Sequence, residues 1–435
     1  MMTYETKELL DFITSAPSPC HTVAASAEKL RAAGFEELEL GGAWQLSRGG
    51  RYFVRIYGTT LLAFTVGAAG PLRMAAAHTD FPCFRLKPAA GLVREGYGLL
   101  NVETYGGLIL RSWLDRPLGL AGKVVLRGED AFHPEVRLVD FGRPLVTIPS
   151  LAIHMDREVN KEGALNPQKD MLPLAALFCD EADEDWWLQA LAELAGVPAE
   201  DVLSYELSTY PWEQGCTLGL AEELVSSPRL DNLTSVWACL EGFVDATKNG
   251  VSDGVRLVAL FDNEEVGSRT KQGAGSAVLM EVLRRIYGSK VVAGTKEPAD
   301  DGARLSAALA GGFLLSVDVA HGLHPNHMSK SDPAVRPVLG GGVVIKQAAS
   351  QAYAGDAEAV AIVRALCEER GIAHQDFVNR SDSRGGSTLG SIASALVPVR
   401  TMDVGVPILA MHSARETMGA ADEMALAALV QAVLE

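Results

Sequence analysis

The sequence is poor in cysteine and in positive charge. Only six of its 435 residues are cysteines, and none belongs to a Cys-x-x-Cys pair, which disfavours both a disulfide framework and a structural zinc knuckle. Lysine and arginine number 38 against 55 aspartates and glutamates, so the net charge is −17. A surface of that sign repels nucleic acid and anionic lipid, and we expect neither as a partner.

Long apolar runs are also missing. No stretch approaches the roughly 20 consecutive apolar residues that a membrane-spanning helix needs. The first residues are charged and amphipathic, and they lack the basic start and apolar centre of a secretory signal. Together with the scattered cysteines, these absences predict a cytoplasmic protein.

Hydrophobic residues make up 48% of the chain, which is enough for a large core. From about residue 225 onwards, strand-like and helix-like segments alternate. That alternation predicts an α/β fold, a mostly parallel sheet with helices on both faces, to which the first 88 residues add outer strands. Residues 91–224 contain short β-like runs punctuated by glycine and proline. We therefore predict a discontinuous main domain, 1–90 and 225–435, and an inserted β-rich domain, 91–224, that builds subunit contacts.

Hydrophobic periodicity also predicts individual elements. The predicted helices are 5–34, 183–197, 199–205, 232–247, 272–287, 355–370, 387–395 and 420–434. The predicted strands outside the insertion are 51–56, 60–66, 72–77, 255–261, 313–318, 373–378 and 399–403.

Acidic and histidine side chains recur where predicted strands end. The pair Glu264–Glu265 follows the apolar run 255–261 almost directly. Because the carboxyl ends of parallel strands meet at one edge of a sheet, we expect such residues to lie close together. The other members of the set are His78 and Asp80 after strand 72–77, Asp231 before helix 232–247, Asp318 after the run 313–317, and His412 after the run 406–410.

Each of these residues alone has an ordinary explanation. A Glu-Glu pair is usually part of a solvated loop, and an aspartate such as Asp231 before a helix is usually its N-cap. The ordered set is more specific, because imidazole and carboxylate ligands suit Zn²⁺, Mn²⁺ or Co²⁺. Two such ions about 3.5–4 Å apart share a bridging carboxylate, and the set is large enough for both. Asp80, two residues after His78, is placed to orient that imidazole.

The order of these residues resembles the co-catalytic metallo-aminopeptidases with a phosphorylase/hydrolase-like α/β fold. The local sequence is most similar to the aspartyl aminopeptidase (M18) family. The similar segments run in order through nearly the whole chain: 77–88, 102–107, 148–157, 227–233, 261–268, 316–326, 385–390 and 411–416.

The resemblance implies two metal sites that share one bridging carboxylate. The bridging ligand would be Asp231, with Glu265 and His412 completing one site and His78 and Asp318 completing the other. Glu264 would be the general base, which takes a proton from the bridging water and returns it to the leaving amine. The resemblance also implies a cis peptide bond between Asp231 and Asn232.

The resemblance further implies a substrate preference and an oligomer, commonly a tetrahedral dodecamer in the family. Lys346 matches the residue that binds an acidic substrate side chain, which needs a cation. His154 matches a residue that reaches a neighbouring subunit's active site. The spacing of His321, His324 and His327 resembles a metal-binding tract, but we expect one or two of them, His321 first, in the substrate pocket. Without the resemblance, Lys346 would be read as a solvated strand-end lysine and the histidines as structural or surface residues.

We therefore predict a two-metal aminopeptidase that releases N-terminal Asp or Glu from peptides. Zn²⁺ is the expected metal, with Mn²⁺ or Co²⁺ as alternatives. Ala352 stands where family members usually have arginine, which bears on the acidic preference or on a subunit contact. Two alternatives stay open: a metallo-aminopeptidase of the same fold with broad or neutral preference, and a non-catalytic scaffold.

Overall fold

The computed structural model describes residues 4–161, 163–179, 185–251, 253–293, 301–383 and 385–435. They form two compact units. The first comprises the chain up to Asp80, Gly215–Met411 and Glu416–Glu435; the second comprises Phe81–Gln214 and His412–Arg415. The division falls earlier in the sequence than the predicted limits of 91 and 224. The short segment His412–Arg415 was not predicted to belong with the insertion.

The strands are numbered in chain order. They are β1 Glu36–Leu38, β2 Arg51–Ile56, β3 Thr60–Val66, β4 Ala68–His78, β5 Cys83–Arg94, β6 Tyr97–Tyr105, β7 Leu118–Leu126, β8 Glu135–Asp140, β9 Leu174–Leu177, β10 Val202–Pro211, β11 Cys216–Leu218, β12 Leu224–Ser227, β13 Asp253–Phe261, β14 Phe313–Val317, β15 Ala320–His321, β16 Val343–Gln347, β17 His374–Val378, β18 Arg400–Gly405, β19 Pro407–Leu409 and β20 Glu416–Gly419.

The helices are numbered in the same way. They are α1 Tyr4–Ser15, α2 Pro19–Ala32, α3 Pro167–Asp170, α4 Trp186–Ala195, α5 Leu230–Thr247, α6 Val278–Tyr287, α7 Lys290–Ala293, α8 Asp301–Ala310, α9 Ala357–Arg370, α10 Leu389–Leu396 and α11 Ala420–Leu434. Within the described ranges, no helix combines the length and apolar character needed to cross a membrane.

The first unit is built on a nine-stranded sheet with the order β1-β2-β3-β13-β4-β14-β18-β16-β17. The four adjacent strands β13, β4, β14 and β18 run parallel to one another, so their carboxyl ends share one edge. One face packs against α6, α8 and α10. Alternate residues such as Ala75 and Val258 are equally buried, and α5 contacts β4 and β13. The prediction of a mostly parallel α/β sheet covered on both faces is confirmed.

A second, five-stranded sheet of the same unit has the order β11-β12-β20-β19-β15. The other compact unit holds a six-stranded sheet with the order β8-β7-β10-β5-β6-β9. Every pairing in this last sheet is antiparallel, and α4 contacts β5 and β8. The insertion is therefore β-rich, as predicted.

Three predicted helices differ from the structure. The predicted helix 5–34 is two helices, because Pro17 lies in the break and Pro19 occupies the first turn of α2, where proline fits best. The predicted helix 199–205 is wrong: after a 3₁₀ turn, β10 begins at Val202 and pairs with β7. The predicted helix 272–287 begins only at Val278. Residues 183 and 184 of the predicted helix 183–197 lie outside the described residues.

Gly405, the last residue of β18, allows a close approach at the shared sheet edge. A Cβ at this position would lie 1.8 Å from the carbonyl oxygen of Asp318. We expect Gly405→Ala to lower the free energy of unfolding by about 1–3 kcal/mol, since the backbone must shift; denaturant unfolding measures this. The control is Gly41→Ala, where an added Cβ meets nothing within 4 Å. Equal effects of the two substitutions would contradict the steric argument.

Candidate metal centre

His78 ends β4 with its side chain only 1% exposed. Its Nδ1 lies 3.0 Å from the carbonyl oxygen of Asp80 and 3.3 Å from Asp80 Oδ1. Because a carbonyl oxygen only accepts hydrogen bonds, Nδ1 carries the proton in the neutral ring and Nε2 carries the lone pair. Nε2 lies 3.4 Å from Asp231 Oδ1 and 3.5 Å from Asp318 Oδ1. Asp80 therefore turns the ligating edge of the imidazole towards two carboxylates.

The pair Glu264–Glu265 forms a short 3₁₀ turn three residues after the end of β13. Asp80 also holds this turn, because its Oδ1 accepts the backbone N–H of Glu264 and its Oδ2 that of Glu265, both at 3.1 Å. The buried residue Asp80 thus fixes both His78, at the end of β4, and the two glutamates that follow the adjacent strand β13.

Asp231, the second residue of α5, has a non-helical conformation, with φ −80° and ψ 105°. The peptide bond between Asp231 and Asn232 is cis, as the sequence resemblance implied. The Asp231 N–H donates to Glu416 Oε2 at 2.9 Å. Asn232 Nδ2 donates to the carbonyl oxygen of Val317 at 3.0 Å. These two hydrogen bonds fix the start of α5 to β20 and to the end of β14.

Asp318 follows β14 directly, and its N–H donates to Val404 of β18 at 2.9 Å. Lys346 on β16 lies beside it with its side chain 2% exposed. The ammonium donates to the carbonyl oxygens of Asp318 at 3.0 Å and Val319 at 3.2 Å. It also lies 3.6 Å from Asp318 Oδ2. The alternative interpretation of Lys346 as a solvated strand-end lysine is therefore excluded, since this side chain is buried.

Charge is concentrated in this cluster. Burial raises the pKa of Glu264 to about 8, and Asp318, Asp80 and Asp231 contribute in the same direction against His78. Burial and the charge of Asp231 likewise raise the pKa of Glu265 well above its usual range. Excess negative charge that holds protons on carboxyl groups is the electrostatic signature of a cation site.

The neighbouring carboxylates also shift the pKa of His78. Burial alone would lower the pKa of His78, but hydrogen bonds with Asp231, Asp318 and Asp80 raise it well above its ordinary value. A metal ion takes the deprotonated forms of these ligands, so binding of a cation would displace protons from the cluster.

The donor atoms fit a divalent metal. His78, Asp231 and Asp318 each offer one ligand atom, and these atoms lie within 4.8 Å of one another; the same holds for His78, Glu264 and Glu265. One imidazole among several carboxylates suits Zn²⁺ or Mn²⁺. His321, His324 and His327 belong to none of the metal-ligating groups found among the described residues.

Asp80 is expected to matter through the residues that it holds. Asp80→Asn places an N–H₂ group against N–H or imidazole donors, so we expect about 10–100-fold weaker metal binding. Competition with a chromophoric chelator measures this. Asp245→Asn, an exposed carboxylate on α5 beside Lys248, is the control and should bind metal like the unmodified protein. Unchanged affinity in Asp80→Asn would contradict the role.

Two predicted site residues belong to the second unit. His412 lies next to Met411 of the first unit in the chain. Its Nδ1 lies 3.0 Å from the carbonyl oxygen of Gly107, so the neutral ring carries its lone pair on Nε2. His154 lies on an exposed turn.

His321 is exposed at the end of β15 and lines a cavity of about 250 Å³. Its ring centroid lies 6.0 Å from that of Phe377. Other residues that line the cavity and carry or gain positive charge are His324, His327, Lys330 and Arg380. The ion pair of Arg380 with Asp382 offsets part of that charge.

Sequence reasoning missed three residues that support the site. Glu416 accepts the Asp231 N–H, Asn232 contacts Val317, and Asp403 is fully buried near Lys346. Glu416 and Asn232 lie within the recognised segments 411–416 and 227–233, which was the available signal. Nothing in the sequence indicated a role for Asp403, because it lies within a strand and outside the segments that resemble the family.

Comparison with known proteins places this geometry in a family. The sequence profile described as "Aminopeptidase I zinc metalloprotease (M18)" matches residues 12–433. The chain therefore belongs to the M18 family of aminopeptidases and is a zinc metallopeptidase, a hydrolase of peptide bonds. The alternative of a non-catalytic scaffold is thereby disfavoured.

Several relatives are similar over nearly their full length. The "Probable M18 family aminopeptidase 2" of Clostridium acetobutylicum is 42% identical over 424 residues, covering 96% of this chain and 95% of the relative. The protein of the same name from Pseudomonas aeruginosa (strain UCBPP-PA14) is 39% identical over 421 residues, covering 95% and 94%.

Solved structures of aminopeptidases have a similar fold over nearly the whole of this chain. The structure described as the Ape4 and Nbr1 complex has 32% identity and a TM-score of 0.92, covering 98% of this chain and 84% of that one. The S. cerevisiae mApe1 dodecamer has 26% identity and a TM-score of 0.83, covering 99% and 96%.

Proposed function

We propose that this M18 aminopeptidase uses two divalent ions to release N-terminal Asp or Glu from peptides. The observation that carries the proposal is the convergence of His78, Asp231 and Asp318, whose ligand atoms lie within 4.8 Å of one another, beside the Glu264–Glu265 turn. Zn²⁺ is the expected metal, in keeping with the family description, and Mn²⁺ or Co²⁺ are alternatives.

Asp231 is proposed as the ligand shared by both ions, His78 and Asp318 as further ligands of one, and Glu265 and His412 as further ligands of the other. The protonated Nδ1 edges of His78 and His412 support this, because both leave Nε2 as the basic nitrogen. When bound, the ions would polarise the scissile carbonyl and lower the pKa of the attacking water.

Glu264 is proposed as the general base. Its carboxylate takes a proton from the water and returns it to the leaving amine. The backbone hydrogen bonds from Glu264 and Glu265 to Asp80 support different roles for the two acids, because they fix the turn from which both side chains project. A pKa raised to about 8 by burial indicates a carboxylate suited to holding a proton near neutral pH.

The acidic preference rests on Lys346 and His321. A lysine ammonium has three N–H donors, and two donate to the carbonyls of Asp318 and Val319. The third is the donor that we assign to the substrate carboxylate, with His321 adding positive charge from the neighbouring cavity. In a net-negative protein, such local charge is what an acidic substrate requires.

We also propose a homo-oligomer in the cytoplasm. The similar mApe1 structure is described as a dodecamer. Around His154, the apolar side chains of Leu151, Ile153 and Met155 are 56%, 48% and 74% exposed, which is typical of a contact surface. We propose that this segment meets a neighbouring subunit and that His154 reaches its active site. The absence of disulfides among the six cysteines, all within the described ranges, is in keeping with a reducing compartment.

The proposal is tested by hydrolysis of Asp-, Glu-, Ala- and Leu-arylamides. The protein is first stripped with a chelator and then supplied with Zn²⁺, Mn²⁺ or Co²⁺. Metal-restored cleavage that favours Asp and Glu is the expected result. Cleavage that favours Ala or Leu would retain the metal chemistry and reject the acidic preference. Absence of cleavage with every metal would reject the proposed reaction on these substrates.

A further inference from the structure

Lys346 is bound to the main chain around a predicted metal ligand. Its side chain is 2% exposed, and its ammonium donates to the carbonyl oxygens of both Asp318 and Val319. In an extended strand, successive carbonyls point in opposite directions. One ammonium therefore reaches both only where the chain leaves strand geometry.

The chain leaves strand geometry at this point. β14 ends at Val317 and β15 begins at Ala320, so Asp318 and Val319 form the break between two strands. Backbone hydrogen bonds fix both sides of the break, from Asp318 to Val404 at 2.9 Å and from Ala320 to Val406 at 2.8 Å. The carbonyls within the break accept hydrogen bonds from Lys346, so the lysine contacts the backbone from which the Asp318 side chain projects.

Lys346 is itself held in place by buried charge. Asp403 is fully buried and attracts the ammonium, as does Asp318. The Asp403 carboxylate accepts hydrogen bonds from Ala354 N–H and from Thr388 Oγ1. Lys346 Nζ also lies 5.2 Å from the centroid of the Tyr353 ring. A buried ammonium is costly without such partners, and here they fix it against the Asp318 backbone.

We infer that Lys346 is a positioning residue for the metal ligand Asp318, in addition to its proposed contact with acidic substrates. The inference rests on the proposed function, because it takes Asp318 as a ligand. It differs in consequence from a substrate anchor. Loss of an anchor weakens the binding of acidic substrates alone, whereas loss of a positioning residue weakens metal binding and therefore the cleavage of every substrate.

The test compares Lys346→Met with the unmodified full-length protein. We expect metal titration against a chelator to show affinity at one site reduced about 10–100-fold. Turnover of an Ala-arylamide at limiting metal should fall in parallel and recover when metal is in excess. Unchanged metal affinity, with a higher KM for Asp-arylamide alone, would overturn the inference and leave only the anchor role.

Two further variants keep the test decisive. Lys248→Met makes the same change at an exposed lysine and should leave metal affinity unchanged. If Lys346→Met fails to fold, as judged by circular dichroism, Lys346→Gln is titrated instead. Its shorter, uncharged side chain keeps an N–H donor but does not replace the ammonium between the two carbonyls, so we expect a smaller loss of metal affinity at the same site, and unchanged affinity would overturn the inference. If the unmodified protein binds metal but cleaves none of the arylamides, the proposed function fails, while the metal titration still decides whether Lys346 supports a ligand.

Discussion

Glu264→Gln should lower kcat for the best arylamide by about 10²–10⁴-fold, the usual contribution of a general base. Glutamine keeps the shape of the side chain and cannot accept the proton. The turn should be retained, because Asp80 binds the backbone N–H of residue 264 and not its side chain. Steady-state kinetics in excess metal measure the effect, and bound metal should stay at the level of the unmodified protein.

The control for this prediction is Glu281→Gln, a partly exposed glutamate on α6 that pairs with Arg284. Its kcat should be unchanged. The structure also defines an instructive failure. The ligand atoms of Glu264, Glu265 and His78 lie close enough together to hold a metal ion. A variant that loses metal together with activity would therefore show Glu264 to be a ligand, and another residue would have to be the general base.

Asp231→Ala should abolish activity and remove metal from both sites. Substitution of a shared ligand weakens the binding of both ions at once. The loss of activity should therefore persist at metal concentrations that restore metal binding to Asp80→Asn. Metal content after dialysis, measured by atomic absorption, gives the direct readout. Retention of one tightly bound ion would contradict the bridging role and make Asp231 an ordinary ligand.

A folding control is needed because Asp231 is buried at the start of α5. Glu416→Gln is suitable, since it changes the carboxylate that accepts the Asp231 N–H and leaves the proposed ligands in place. We expect this variant to retain some metal at high concentration, whereas Asp231→Ala should not. Circular dichroism of both variants establishes that the comparison is between folded proteins.

The central strands could be predicted because strands buried on both faces have runs of consecutive hydrophobic residues. The run 255–261 forms most of β13, which is buried on both faces and, apart from Arg256, is apolar over this run. Helix 420–434 was likewise read with its observed bounds. Once these strands were taken as parallel, His78, the Glu264–Glu265 turn and Asp318 had to meet at one edge, and the structure brings them together there.

Other features were beyond sequence reasoning because contacts between distant residues create them. The start of β10 looks helical locally, yet its pairing with β7 makes it a strand. The pattern around Lys346 resembles a strand end, and its burial is visible only once the carbonyls of residues 318 and 319 are located. Glu416 reaches Asp231 across 185 positions. No local periodicity reports such a hydrogen bond.

The segment His412–Arg415 means that the inserted unit is not a removable module. These four residues are held by residues of the insertion: Ile109 N–H donates to the His412 carbonyl oxygen at 3.0 Å, and Ala414 N–H donates to Ser112 Oγ at 2.8 Å. A truncated enzyme without Phe81–Gln214 would keep His412 in its sequence while losing every one of these partners. Excision of the insertion would therefore alter the surroundings of a proposed metal ligand, in addition to removing the segment proposed to contact a neighbouring subunit.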